Sequence, residues 1–228
     1  MSVAENLKHL LHRIEAACAR SGRDPQEITI VAVTKTKPIA QIQAAIAAGI
    51  THFGENRVQE AATKIPLIKT PVNWHLVGTL QTNKVKKALE LFHIIESVDS
   101  FHLAQEIERR AEQLNKIVPI LIEVNTSQEP TKHGVPPAKL LDLISAVREL
   151  PRLKLEGLMT IGPGWAVNDP EASRPCFELL ARLRNEAQQK FGIALPHLSM
   201  GMSSDFEVGI ESGATLVRIG TALFGPRS

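Results

Sequence analysis

The chain has no tyrosine, only two cysteines, and few aromatic residues of any kind, at 4% of 228 positions. Without tyrosine, no phenolic acid or base can serve its chemistry. Cys18 and Cys176 lie far apart in helical-looking segments and read as reduced core residues, which fits a cytoplasmic protein rather than a disulfide framework. No spacing of Cys and His suits a metal. Net charge is +2, and no basic run is interleaved with aromatics, so nucleic acid is not a favoured partner. No apolar run reaches membrane-spanning length, and the charged, amphipathic N-terminus does not read as a signal peptide. Linkers and shifts in composition are missing too. One domain over residues 1–228 is therefore expected, and a self-sufficient fold of moderate charge makes a monomer the simplest state.

What is present is organised around Ile28–Pro38, ITIVAVTKTKP. Ile28–Val33 is apolar, rich in β-branched residues and free of Gly and Pro, the pattern of a strand buried on both faces. Pro38 then opens a helix of strong helix formers. Lys35 therefore sits where a buried strand gives way to a loop, on the same face as Val31 and Val33. Two readings stand: a partly desolvated, nucleophilic amine, or a lysine snorkelling from a strand end.

The same pattern recurs along the chain. An N-terminal helix over Met1–Arg20 precedes the first strand, and further strands are expected at Thr51–Gly54, Val72–Gly78, Ile94–Val98, Val118–Asn125, Leu153–Ile161, Pro196–Met200 and Thr215–Ile219. Helices fall between them. Eight strands alternating with helices imply parallel pairing by right-handed crossovers. In a chain of this length they fit an α/β fold of one kind, a closed (β/α)8 TIM barrel with an extra N-terminal helix. An open doubly wound sheet is the alternative, lowered by the lack of G-x-G-x-x-G after the first strand.

Function in such a barrel gathers where the strands end. Those ends carry Lys35, Asn56, His75, Asn125, Thr160, Ser199 to Ser203, and Arg218 to Thr221. The Ser199-Met200-Gly201-Met202-Ser203-Ser204 segment offers hydroxyls and turn N–H groups, and Gly220-Thr221 adds more donors at the next strand end. These are the positions where barrels place a phosphate, although a Ser/Gly loop also reads as a plain turn. Arg218 interrupts the apolar strand LVRIG, so it either pairs with Glu123, the charge inside ILIEVN, or faces a bound aromatic nitrogen. His75 reads as a hydrogen-bonded core histidine, Lys37 as solvated, and Lys132-His133 as a basic loop.

Taken together, AVTKTKP, FGENRVQE, WHLVGTLQTNK, SVDS, GLMTIGP, LSMGMSSDFEVGI and VRIGTALFG resemble the pyridoxal phosphate homeostasis protein family, in the family's order and over nearly the whole chain. The family is similar in fold to the barrel domain of alanine racemases. The resemblance implies pyridoxal 5'-phosphate as cofactor, with Lys35 holding it as an internal aldimine. It implies a phosphate site on Ser199, the Gly201, Met202 and Ser203 turn, and Gly220 with Thr221. It also implies Asn56 near the ring, Arg218 opposite the pyridine nitrogen, and Lys132 at a position the family often fills with lysine. Nothing carries over onto Gly162–Ser173.

The expected function is then a carrier or buffer in vitamin B6 homeostasis, without turnover, which passes its cofactor to apo-enzymes that depend on it. A racemase is the alternative, but the related racemases use a tyrosine as second base and this chain has none; a histidine or a second lysine would have to replace it. A cofactor-free Schiff-base aldolase is a third reading, and it would be colourless.

Overall fold

Alternating apolar runs and amphipathic stretches fold as expected into eight parallel strands in a closed barrel. The computed structural model describes residues 2–226, apart from the Val167 side chain. The strands are β1 Thr29–Val33, β2 His52–Glu55, β3 Asn73–Leu76, β4 Ile94–Val98, β5 Val118–Glu123, β6 Leu153–Met159, β7 His197–Met202 and β8 Leu216–Ile219. Each pairs with the next, and β8 closes on β1 through Val31 opposite Arg218. The architecture is a TIM barrel.

Nine α-helices surround the strands among the described residues: α1 Val3–Ser21, α2 Ile39–Ala47, α3 Val58–Lys64, α4 Val85–Leu91, α5 Phe101–Gln113, α6 Leu140–Val147, α7 Arg174–Phe191, α8 Phe206–Glu211 and α9 Thr221–Phe224. Met1, the expected start of the first helix, lies outside the described residues. α1 begins at a capping box in which Ser2 and Glu5 satisfy each other's backbone N–H. Its apolar stripe is buried, and Asn6 donates to the Leu223 carbonyl at 2.9 Å, while Arg13 and Arg20 pair with Glu207 and Glu211 of α8.

Local departures from the expected boundaries have plain causes. Pro38 caps α2 from outside instead of starting it. Pro66 turns the end of the expected Val58–Ile68 helix into a 3-10 turn, because it has no N–H to continue the α pattern. The α9 turn has no counterpart in the sequence pattern, since four residues give too short a periodicity to read. Among the described residues no helix is long and apolar enough to cross a membrane.

Most of the apolar core lies between the barrel and its helices. A smaller cluster of Val31, Val77, Leu121, Met159 and Leu216 fills the barrel interior. Strand alternation then sends His75, Glu96, Ser199 and Arg218 into the same interior, all of them buried. Such a polar layer is stable only where its members satisfy one another.

Candidate functional site

The strand ends enclose a cavity of about 330 Å³, within the size range of small-molecule sites. Lys35, Asn56, Met202, Ser203, Arg218, Gly220 and Thr221 line it together with the apolar Val33, Val77 and Ile161. A neighbouring cavity of about 300 Å³ shares Lys35, Asn56, Val77 and Ile161 and continues past Glu123, Asn125 and Lys132.

Lys35 keeps the parity of Val31 and Val33 and is half-buried on the wall. The chain then turns sharply at Thr36, whose φ of 62° is costly for a β-branched residue. The Thr36 N–H is held by Glu60 at 2.6 Å. This turn corrects the expectation for Lys37. Instead of being solvated it is buried, and its Nζ donates to the carbonyls of Phe224, Gly225 and Pro226 at 3.4, 3.1 and 3.2 Å. The C-terminal carbonyls of α9 and the chain beyond it have no helical partners, and a cation is the favourable group to meet them. Asn56 follows the end of β2 and lines the cavity, and its backbone packs so closely on Gly78 that any Cβ there would collide with it.

At the far end, Gly201 has φ 90°, and a Cβ there would lie 2.8 Å from the Phe206 Cα, so the turn needs glycine. Gly201 shapes the turn and does not line the cavity. Asp205 accepts from the Met202 N–H at 2.7 Å and from the Ser173 hydroxyl at 2.7 Å, which fixes the loop. The N–H groups of Gly220 and Ala222 both point at Ser203 Oγ, at 3.2 Å each. Two convergent N–H donors around a hydroxyl oxygen form a cup suited to an anionic oxygen.

Ser199 does not belong to that cup. It is fully buried below the cavity, where its Oγ donates to Glu96 Oε2 at 2.5 Å and accepts from Arg218 Nη1 at 2.6 Å. The cause is strand alternation, which places it three residues down β7 and inside the barrel. Arg218 Nη2 donates to the Thr160 carbonyl at 2.6 Å. The expected alternative of an Arg218–Glu123 ion pair is not formed, and Arg218 is linked through Ser199 to Glu96.

Glu96 is the residue that sequence reading missed. The signal was present, since IIESV places a charge inside an apolar strand just as ILIEVN does for Glu123. Burial pushes the Glu96 carboxyl up, but the His75 hydrogen bond, the Arg218 charge and the Ser199 hydroxyl hold it below the ordinary carboxylate range. His75 is the buried, hydrogen-bonded histidine expected, with Nδ1 2.6 Å from Glu96 and Nε2 2.9 Å from His52 Nδ1.

Glu123 is buried, and among the described residues its carboxylate has no hydrogen bond or ion pair. Burial pushes it up to about 7, against the Arg218 and Lys132 charges and with help from Asp99. Because its folded value is raised, the folded state binds the extra proton and Glu123 favours folding most at low pH. That contribution is lost as pH rises from the unfolded value of 4.5 to about 7, a change of up to about 3 kcal/mol. Thermal unfolding from pH 5 to 8 should therefore show a fall in wild-type stability relative to Glu123→Gln. Parallel curves for the two proteins would refute the assignment.

Comparison with known proteins adds to this geometry. The family model described as alanine racemase, N-terminal domain, matches residues 6–228. A protein of Aquifex aeolicus (strain VF5) named pyridoxal phosphate homeostasis protein is 46% identical over 228 residues, covering 100% of this chain and 99% of that one. The structure of PipY of Synechococcus elongatus PCC7942 with PLP bound superposes with a TM-score of 0.86 at 37% identity, covering 98% of this chain and 100% of PipY. Alanine racemase of Clostridium difficile 630 shares the fold, with a TM-score of 0.78 at 15% identity over 98% of this chain and 57% of that one.

Proposed function

This chain belongs to the pyridoxal phosphate homeostasis protein family, and from that premise we propose that it is a carrier and buffer of pyridoxal 5'-phosphate. In this reading it is a single-domain, cytoplasmic monomer that holds the cofactor covalently on Lys35, serves vitamin B6 homeostasis without turnover and passes the cofactor to apo-enzymes. The observation that best supports it is the convergence of three unlike groups on one cavity: the Lys35 amine, the Ser203 cup and the Arg218 guanidinium.

When bound, the cofactor supplies an aldehyde that an amine captures reversibly and a ring nitrogen whose protonation sets the strength of the electron sink. Lys35 provides the amine. Ser203, Thr221 and the Gly220 N–H would hold the phosphate, Asn56 would lie beside the ring, and Val33, Val77 and Ile161 would give it apolar walls. Arg218 stays protonated, so a ring nitrogen facing it would stay unprotonated and amino-acid chemistry would be disfavoured. The racemase alternative needs a second base. His75, the obvious substitute for tyrosine, is fully buried and uses both ring nitrogens on His52 and Glu96. Lys132 donates to the Gly162 carbonyl at 3.0 Å.

The test is to load the protein, record its visible spectrum, reduce with borohydride and map the adduct by mass spectrometry. The adduct is expected on Lys35 and not on Lys37, whose ammonium is tied to three carbonyls; Lys35→Ala should give no comparable adduct. A colourless wild type, or an adduct mainly on Lys37 or Lys132, would overturn the assignment. Steady α-proton exchange or racemisation at about 1 s⁻¹ or faster, an ordinary enzymatic rate, would overturn the carrier reading.

A further inference from the structure

A continuous hydrogen-bonded array runs from the exposed Asn73 at the start of β3 into the barrel interior. Asn73 Nδ2 lies 3.4 Å from His52 Nε2, His52 Nδ1 2.9 Å from His75 Nε2, and His75 Nδ1 2.6 Å from Glu96 Oε1. Ser199 then joins Glu96 Oε2 to Arg218, at 2.5 and 2.6 Å. One set of protons satisfies every link: Asn73 donates to His52, His52 to His75, His75 to Glu96, and from the other side Arg218 to Ser199 and Ser199 to Glu96. All donors on both sides therefore point at the Glu96 carboxylate. Burial pushes His52 down to about 4, which agrees with its neutral role in that set.

Arg218, at 4% exposure, lines the cavity as a nearly buried cation. An uncompensated charge at such depth is strongly unfavourable. Burial pushes the guanidinium down, and Glu96, Glu123 and Asp205 oppose this. Glu123 makes no hydrogen bond or ion pair with it, whereas Glu96 reaches it through one hydroxyl. The titratable and charged groups around Glu96 are His52 on β2, His75 on β3, His197 on β7 and Arg218 on β8.

We propose that Glu96, acting through Ser199, is the positioning residue for Arg218: it fixes the guanidinium at the cavity wall and supplies the negative charge that balances it, while His75 and His52 fix Glu96 from behind. Ser199 is then a spacer between two charges and has no part in holding phosphate. As far as it concerns the bound ring, this inference rests on the carrier reading, because it takes the ring nitrogen to face Arg218. The array would keep that nitrogen facing a fixed cation, and thus keep the bound cofactor chemically quiet.

Two measurements test it, and the first needs no cofactor. In the ligand-free protein, Arg218 held by Ser199 and Thr160 should give resolved, slowly rotating guanidinium NMR signals. Ser199→Ala and Glu96→Gln should average them. Resolved signals in Ser199→Ala would overturn the proposal even if Glu96→Gln fails to fold. The second measurement follows the visible band of the loaded protein against pH. Removing a negative charge disfavours the more positive form of the cofactor, so Glu96→Gln should move the midpoint down by about one pH unit, the smaller end of the effect of a nearby charge. Glu96→Asp, which keeps the charge, should stay near wild type, and equal shifts in Gln and Asp variants would overturn the proposal. If borohydride finds no adduct on wild-type Lys35, the carrier reading fails, and the ligand-free measurement still decides the role of Glu96.

Discussion

Replacing Ser203 and Thr221 together with alanine is expected to weaken binding of pyridoxal 5'-phosphate by two to four orders of magnitude while changing pyridoxal binding far less. The two ligands differ only in the phosphate. Ser203 Oγ already sits at the focus of the Gly220 and Ala222 N–H groups, and Thr221 lines the same end of the cavity. A hydrogen bond to a charged group is worth about 1.5–3 kcal/mol, and each 1.4 kcal/mol is tenfold in affinity. Ser199→Ala is the control. Its hydroxyl is occupied by Glu96 and Arg218, so it should not share the selective loss of phosphate affinity. Titration of each protein with both ligands decides the matter. Equal weakening for pyridoxal and its phosphate would put the phosphate elsewhere, and a selective loss in Ser199→Ala would restore Ser199 to the cup.

A second large effect is expected in stability. Arg218→Met keeps much of the side-chain volume but strands the Glu96 carboxylate, which would then lie buried with His75 and Ser199 and without its cationic partner. Breaking a buried charge pair from one side costs about 3–5 kcal/mol. For a chain of this size that is a fall in Tm of about 6–20 °C. The double variant Arg218→Met with Glu96→Gln should recover most of the loss, because glutamine removes the stranded charge and keeps the side chain's length. Urea unfolding of the two single variants and the double completes the cycle. Additive losses would mean that the two residues are not energetically linked.

Much of this was legible in the sequence. Ile28–Val33 is legible as an unbroken apolar, β-branched run, alternation then gives the face of Lys35, and the structure keeps Lys35 on the wall beside Val33. Ser203 and Gly220-Thr221 are legible for a different reason, since a strand end followed by Gly and hydroxyl residues is a local signal, and they line the same cavity. The failures are equally specific. Lys37 looks solvated because it lies beyond the strand and before Pro38; its three acceptors come from the far end of the chain, Phe224 to Pro226. Ser199 looked like a phosphate residue because it belongs to the same loop motif as Ser203, although it faces the barrel interior.

The eight alternating units, the lysine at the first strand end and the hydroxyl-rich turns at the last two are all local properties, because each depends on periodicity and turn chemistry within a dozen residues. Which charges meet is a property of the folded barrel. Glu96 and Ser199 are 103 residues apart in the chain, and Arg218 lies beside Val31 because the barrel closes there. Barrel closure gathers side chains from all eight strands into one small, buried interior, where a charge needs a partner. No local pattern states which partner that will be.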